Sequence, residues 1–89
     1  MRTTRIYRIY TEAKNQREIV LLAGKQFESF TLQPTLGYYR GNPEKSIVIE
    51  VVGANEREAQ QLAQRIQKMN GQKSVLITRL QGKAKSVRI

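Results

Sequence analysis

The chain contains no cysteine, no histidine, no aspartate and no tryptophan. Without cysteine there is no disulfide, no thiolate metal site and no sulfur nucleophile. Without histidine there is no imidazole base, which removes the Ser-His-Asp arrangement and most zinc chemistry. All seven acids are glutamates, at positions 12, 18, 28, 44, 50, 56 and 58, and no two are placed by spacing for acid–base work. The sequence therefore predicts a protein that is not an enzyme, with no catalytic residue, no metal and no cofactor. Long hydrophobic runs are missing too. No apolar stretch approaches the roughly 20 residues that a membrane span needs, and MRTTRIYRIY lacks the apolar core of a secretory signal. The expectation is a cytoplasmic protein, of the cell or of an infected host, with no membrane partner.

What is present suffices for one small domain spanning residues 1–89. Hydrophobic residues make up 39% and charged residues 26%, enough to fold and too apolar for a disordered chain. The net charge is +9, and it is unevenly spread. Arg2, Arg5 and Arg8 stand in the first ten residues with no acid among them. Lys73, Arg79, Lys83, Lys85 and Arg88 stand in the last nineteen, again with no acid. The long middle of the chain contributes only +1.

RIYRIY (5–10), rich in β-branched and aromatic residues, reads as a first strand. Asn15 is a candidate cap for a helix starting at Gln16, in which Ile19, Leu22, Ala23 and Phe27 recur at helical spacing and Val20 and Leu21 widen the apolar face. A second strand runs from Phe30 to Arg40, either broken at Pro34 or lying on a sheet edge, with Gly37 marking a bulge or a close backbone approach. A turn over Arg40–Glu44, a loop of about five residues, leads to the clearest strand, SIVIEVV (46–52). Asn55 and Glu58 form a variant capping box for a helix whose stripe is Ala59, Leu62, Ala63, Ile66 and Met69, stopped by Asn70-Gly71. SVLITRL (74–80) is the last strand, and the basic tail QGKAKSVRI (81–89) either extends it or hangs free.

The order β-α-β-β-α-β, with a hairpin in the middle, points to an α+β ferredoxin-like sandwich. Its antiparallel sheet has the order 4-1-3-2, with both helices on one face. Strands 1 and 4 are neighbours in that order, so the two basic ends of the chain converge. Arg2, Arg5, Arg8, Arg79, Lys83, Lys85 and Arg88 then form a phosphate-binding surface, on which Tyr7 or Tyr10 would stack a base. The competing reading of the same charge is solubility and protection of an edge strand. Both faces of the strands carry apolar residues, so the face without helices is open to a ligand, to bases or to a second subunit. Arg8 and Glu50 fall on adjacent strands and can pair with each other. An ordinary RNA-recognition domain shares this topology but needs rings on strand 3, and KSIVIEVV has none.

GYYRGNPEKS (37–46) is a second candidate site. Tyr38 and Tyr39 alternate across their strand, so one ring is expected in the core and the other outside. Arg40 and Lys45 flank the turn as a possible phosphate clamp with Ser46 as a hydroxyl donor, unless Glu44 neutralises one of them or the stretch is merely a corner.

The segments YRIYTE (7–12), FESFTLQPTLGYYRG (27–41), EKSIVIEVVG (44–53) and NGQKSVLITR (70–79) together resemble a group of small, mostly uncharacterised ferredoxin-like proteins of phages and other mobile elements. The resemblance implies an accessory or host-interaction role and carries no binding residues with it. Three functions follow for comparison. The first is a nucleic-acid-binding accessory protein with DNA or RNA as partner. The second is a protein-interaction module, an inhibitor or scaffold, acting on a host protein through its sheet face or edge. The third is a homo-oligomer that captures an anionic nucleotide between subunits with Tyr38 or Tyr39, Arg40 and Lys45.

Overall fold

A computed structural model describes the backbone of residues 2–84 and the side chains of residues 4–81. The elements are β1 (Arg2–Glu12), α1 (Gln16–Gln26), β2 (Thr31–Tyr39), β3 (Asn42–Val52), α2 (Glu56–Asn70) and β4 (Leu76–Ala84). The strands form one antiparallel sheet in the order β2-β3-β1-β4, the ferredoxin-like arrangement read from the sequence. Residues 81–84 of the basic tail extend β4 along β1 as far as the Arg2–Ala84 pair.

Side chains alternate across each strand, so register decides which ones meet the helices. Tyr7, Ile9 and Thr11 of β1 and Ile47, Ile49 and Val51 of β3 are buried on one face. From above, α1 contributes Ile19 and Ala23, Phe27 follows it, and α2 adds Ala59, Leu62, Ala63 and Ile66. Val20 and Leu21 do not widen the buried face of α1. Leu21 is 60% exposed, because it lies roughly 200° around the helix from the buried Ile19 and points away from the sheet.

The ends of α2 follow their sequence signals. The Glu58 amide donates to Asn55 Oδ1 at 2.8 Å, and the Asn55 amide donates to Glu58 Oε1 at 3.1 Å, completing the capping box. Gly71 closes the helix in the left-handed region, at φ 65°. Asn15 precedes α1 but does not cap it with its side chain. Its Nδ2 donates instead to Asn70 Oδ1 at 2.8 Å. Asn70, buried at the end of α2, donates to Gln72 Oε1 at 2.7 Å and to Thr11 Oγ at 3.4 Å. This polar cluster ties the end of β1, the start of α1 and the exit of α2 together.

The middle hairpin is tighter than the sequence suggests. Its loop is only Arg40 and Gly41, between the paired residues Tyr39 and Asn42. Both loop residues have positive φ, 51° and 79°, as a primed two-residue turn requires to follow the twist of its strands. β3 therefore starts at Asn42 and takes in Pro43, and Gly37 pairs with Glu44 in regular register without a bulge. Pro34 lies within β2, at the sheet edge, where its missing N–H costs no ladder bond. β1 pairs with β3 only as far as Glu12–Ser46, so the hairpin from Leu36 to Lys45 runs on as a two-stranded ribbon.

Tyr7 is fully buried, and its hydroxyl has no hydrogen-bond partner among the described residues. No base can stack on it, which corrects the expectation for Tyr7. A buried hydroxyl left unpaired costs about 1–3 kcal/mol, so Tyr7→Phe should raise the unfolding free energy by about 1 kcal/mol. Leu62→Ala, in the same core, should lower it by about 2–5 kcal/mol. Urea denaturation of both variants checks these opposite signs.

Candidate functional site

The sequence-predicted residues fall into three groups on the fold. The first is the end of the sheet where β1 starts and β4 finishes. Arg5 lies opposite Gln81 and Arg79 opposite Tyr7, so both arginines stand on the helix side of the sheet, where both are exposed. Neither has an ion-pair partner among the described residues. Arg2 and Lys83 are placed by backbone register alone, opposite Ala84 and Thr3. Lys85 and Arg88 lie outside the described residues. Lys73 does not join this group. It precedes β4 at the opposite end of the sheet, where its carbonyl accepts a hydrogen bond from Gln67 Nε2 at 2.7 Å.

The second group is the face of the sheet that no helix covers. Arg8 and Glu50 are direct cross-strand neighbours there, and Arg8 Nε donates to Glu50 Oε2 at 2.8 Å, the pairing expected from the sequence. That hydrogen bond holds the Arg8 guanidinium above its ordinary range, against the opposing effect of partial desolvation. The committed pair leaves Arg8 less available to a phosphate than Arg5 or Arg79. Around it the face is apolar. Ile6, Tyr10 and Val48 are half-buried, while Val52, Leu76 and Leu80 are exposed by 53%, 60% and 41%. Tyr10 is thus accessible on a different face from Arg5 and Arg79, so a base stacked on it would not lie between those arginines.

The third group is the ribbon. Both Tyr38 and Tyr39 are exposed, by 70% and 60%, so neither enters the core as one of them was expected to. The reason is length: the ribbon continues after β1 and its pairing have ended. Register sorts its side chains onto two faces. Leu36, Tyr38, Pro43 and Lys45 share the helix side, whereas Tyr39, Asn42, Glu44 and Ser46 share the other. Glu44 therefore does not neutralise Lys45. Thr35 and Ser46 bind each other through their hydroxyls at 2.7 Å. Arg40, at the tip, lies 5.3 Å from the centroid of the Tyr39 ring, within cation–π range.

Beside the stem of the ribbon is a cleft of about 610 Å³. Ala13 lines it from the loop before α1 and Gln16 from the start of the helix, with Pro34, Thr35 and Leu36 from β2 and Lys45, Ser46 and Ile47 from β3. The Ala13 amide donates to the Lys45 carbonyl at 3.4 Å, holding the loop before α1 against β3. Sequence reading missed Gln16, Pro34 and Leu36 as site residues. Nothing local marks them, because they meet only when β2 folds beneath the start of α1. Among the described residues no cluster of acidic side chains is placed to hold a metal ion.

The fold has well-matched solved counterparts. A DUF3240 family protein from Shewanella baltica OS155 superposes with a TM-score of 0.71 at 11% identity over all of both chains. A phage SAM lyase in its apo state gives 0.70 at 16% identity, over 89% of this chain and 81% of the lyase. CPII, a nitrogen regulatory PII-like protein from Thiomonas intermedia K12 bound to ADP, AMP and bicarbonate, gives 0.62 at 15% identity, over 96% and 98% of the two chains. At these identities the likeness is one of fold, and it spans an enzyme as well as a regulatory protein. No family model matches the chain, and no curated protein sequence does.

The polar cluster at the end of α2 supports the loop that forms one wall of the cleft. Asn70→Leu should remove the bonds to Asn15 and Gln72, while Thr11 keeps its bond to Gln72, lowering stability by about 1–3 kcal/mol. Hydrogen exchange should quicken at residues 13–16 more than in the core of β3, a difference that a uniform loss of stability would not produce.

Proposed function

We propose that the chain is a homo-oligomeric ligand-binding protein, and that its ligand belongs to the adenine nucleosides and nucleotides. The observation that carries the reading is the uncovered face of the sheet. Ile6, Tyr10, Val48, Val52, Leu76 and Leu80 surround the Arg8–Glu50 ion pair, an apolar arrangement suited to packing against further copies of the chain. The ligand class is supported by what proteins of the same fold hold. The PII-like CPII is bound to ADP and AMP, a GlnK from B. subtilis is in complex with ATP, and the phage SAM lyase is in complex with S-methyl-5′-thioadenosine. Adenine on a ribose ring, the 5′-deoxyadenosyl group, is common to these molecules. The small-protein resemblance of the sequence to phage and mobile-element proteins agrees with a role in host interaction, for which an adenosine-bearing metabolite is a suitable target.

Light scattering on the purified chain should give a mass above that of one 10.3 kDa protomer. Val48→Glu should reduce it to that of the protomer while keeping the circular dichroism spectrum. AMP, ADP, ATP and S-methyl-5′-thioadenosine, each at high excess, are the ligand probes. One of them should raise the melting temperature, as a ligand of the native state must. A monomeric wild type, or four flat thermal-shift profiles, would defeat the corresponding half of the reading. S-adenosylmethionine belongs in the same series: release of S-methyl-5′-thioadenosine from it would make the chain an enzyme, and binding without turnover would make it a sensor or sequestering protein.

Nucleic-acid binding stands as a second reading, favoured by the exposed Arg5 and Arg79 with no ion-pair partner among the described residues. If about five phosphates are neutralised, duplex affinity should fall with salt at a log–log slope near −4. Fluorescence anisotropy with single- and double-stranded oligonucleotides at about 50 and 200 mM salt measures it. Affinity indifferent to salt, or no binding at the lower concentration, would remove this reading.

A further inference from the structure

We propose that the cleft between the start of α1 and the stem of the β2–β3 ribbon, continued by the exposed ribbon face beyond Leu36, is an adenine-ligand site, with the phosphate on the ammonium group of Lys45 in the cleft and the base on the ring of Tyr38 outside it. The assignment rests on the adenine-ligand reading above and adds the place and the division of labour.

Three observations lead there. The first is the sorting of the ribbon by register. Tyr38 and Lys45 lie on the same face, with Leu36 between Tyr38 and the cleft on one strand and directly opposite Lys45 on the other. A ring and a cation on one face of a two-stranded ribbon stand one pleat apart, about 7 Å, a separation suited to a base and the phosphate of the same nucleotide. The second is availability. Tyr39 is engaged by Arg40, whereas the ring of Tyr38 has no cation or ring partner among the described residues, and it is 70% exposed. Lys45 likewise has no ion pair among the described residues, since Glu44 faces the other way. The third is the cleft itself, which runs from Lys45 and Leu36 to Gln16 with Pro34 and Ile47 as apolar wall. Its volume of about 610 Å³ lies within the range of small-molecule sites.

The pieces do different chemistry. A base stacks on an aromatic ring without hydrogen-bond selection, because every base has a π face. The lysine supplies a point charge with three donors, which recognises the anionic end and ignores the base. Gln16 offers both a donor and an acceptor to the sugar or the base edge. Tyr39 and Arg40 are not part of this site, because they pair at the ribbon tip, and the Thr35 and Ser46 hydroxyls, which also line the cleft, are engaged with each other.

Isothermal titration of ADP and of adenosine into the wild type, Tyr38→Ala, Tyr38→Phe and Lys45→Gln separates the two roles. Lys45→Gln should weaken ADP about tenfold, the loss of one charge-assisted contact, and leave adenosine within about twofold of the wild type. Tyr38→Ala should weaken both ligands by about tenfold or more, and Tyr38→Phe, which keeps the ring, should restore both. If the wild type binds ADP while Tyr38→Ala and Lys45→Gln bind it equally well, the site is wrong and the adenine reading survives. If the wild type binds neither ADP nor adenosine, the site as proposed fails, while the adenine reading stands or falls with the thermal-shift series above. Both residues are exposed strand positions, so melting temperatures near that of the wild type are expected and confirm that affinity, not folding, has changed.

Discussion

Two helices cover one face of a four-stranded sheet, and in this chain the strands are apolar on both. That mismatch governs much of the rest of the structure. On the covered side, Tyr7, Ile9, Ile47, Ile49 and Val51 are removed from water by Ile19, Ala23, Leu62 and Ile66. On the other side, Val48, Val52, Leu76 and Leu80 remain with neither α1 nor α2 to meet, around the Arg8–Glu50 salt bridge. A face of this kind is costly to leave in water, at roughly 25 cal/mol for each Å² of apolar surface. Packing against another copy, as proposed above, would remove that cost without another element in the chain.

The same alternation that creates the two faces divides the charge. Sheet order brings β1 beside β4, so the segments that carry Arg2 and Arg5 and those that carry Arg79 and Lys83 become neighbours. Parity then separates what adjacency had joined. Arg5 and Arg79 point to the helix side, while Arg8 points to the open side and is held by Glu50. Lys73 stands at the far end of β4. Among the described residues, a polyanion on the helix side of this end of the sheet would therefore meet Arg5 and Arg79 but not Arg8 or Lys73.

The ribbon extends the principle past the body of the sheet. Because β2 and β3 outrun β1, their last residues have no core to enter, and both tyrosines of GYYRG remain in solvent. A two-residue turn with Arg40 and Gly41 in the left-handed region fixes the register of the ribbon. That register places Tyr38 with Lys45 and Tyr39 with Glu44. A three- or five-residue loop would have offset the strands and changed those partnerships. The conformational cost of a positive φ at Arg40, which glycine would avoid, is thus coupled directly to which side chains line the cleft.

Element order, the sheet order that follows from it, the capping box at Asn55 and the Arg8–Glu50 pair were all legible in the residues. Each rests on local periodicity, or on a topology with few alternatives. The sequence also named Tyr38, Lys45 and Ser46 as polar groups of interest, but could not sort them. The sorting depends on loop length, and the signal was blurred by Pro43, which reads as a turn residue and instead begins a strand. Tyr7 was misread because either face of RIYRIY would suit a core, and only the placement of the helices chooses between them. Gln16, Pro34 and Leu36 carry no mark of a site at all. The sequence by itself determined which segments fold and how the strands are ordered, because those depend on hydrophobic period and turn chemistry within short windows. Only the tertiary structure decided which face is dry and which residues share a cleft, because those depend on the register of strands that are distant in the chain.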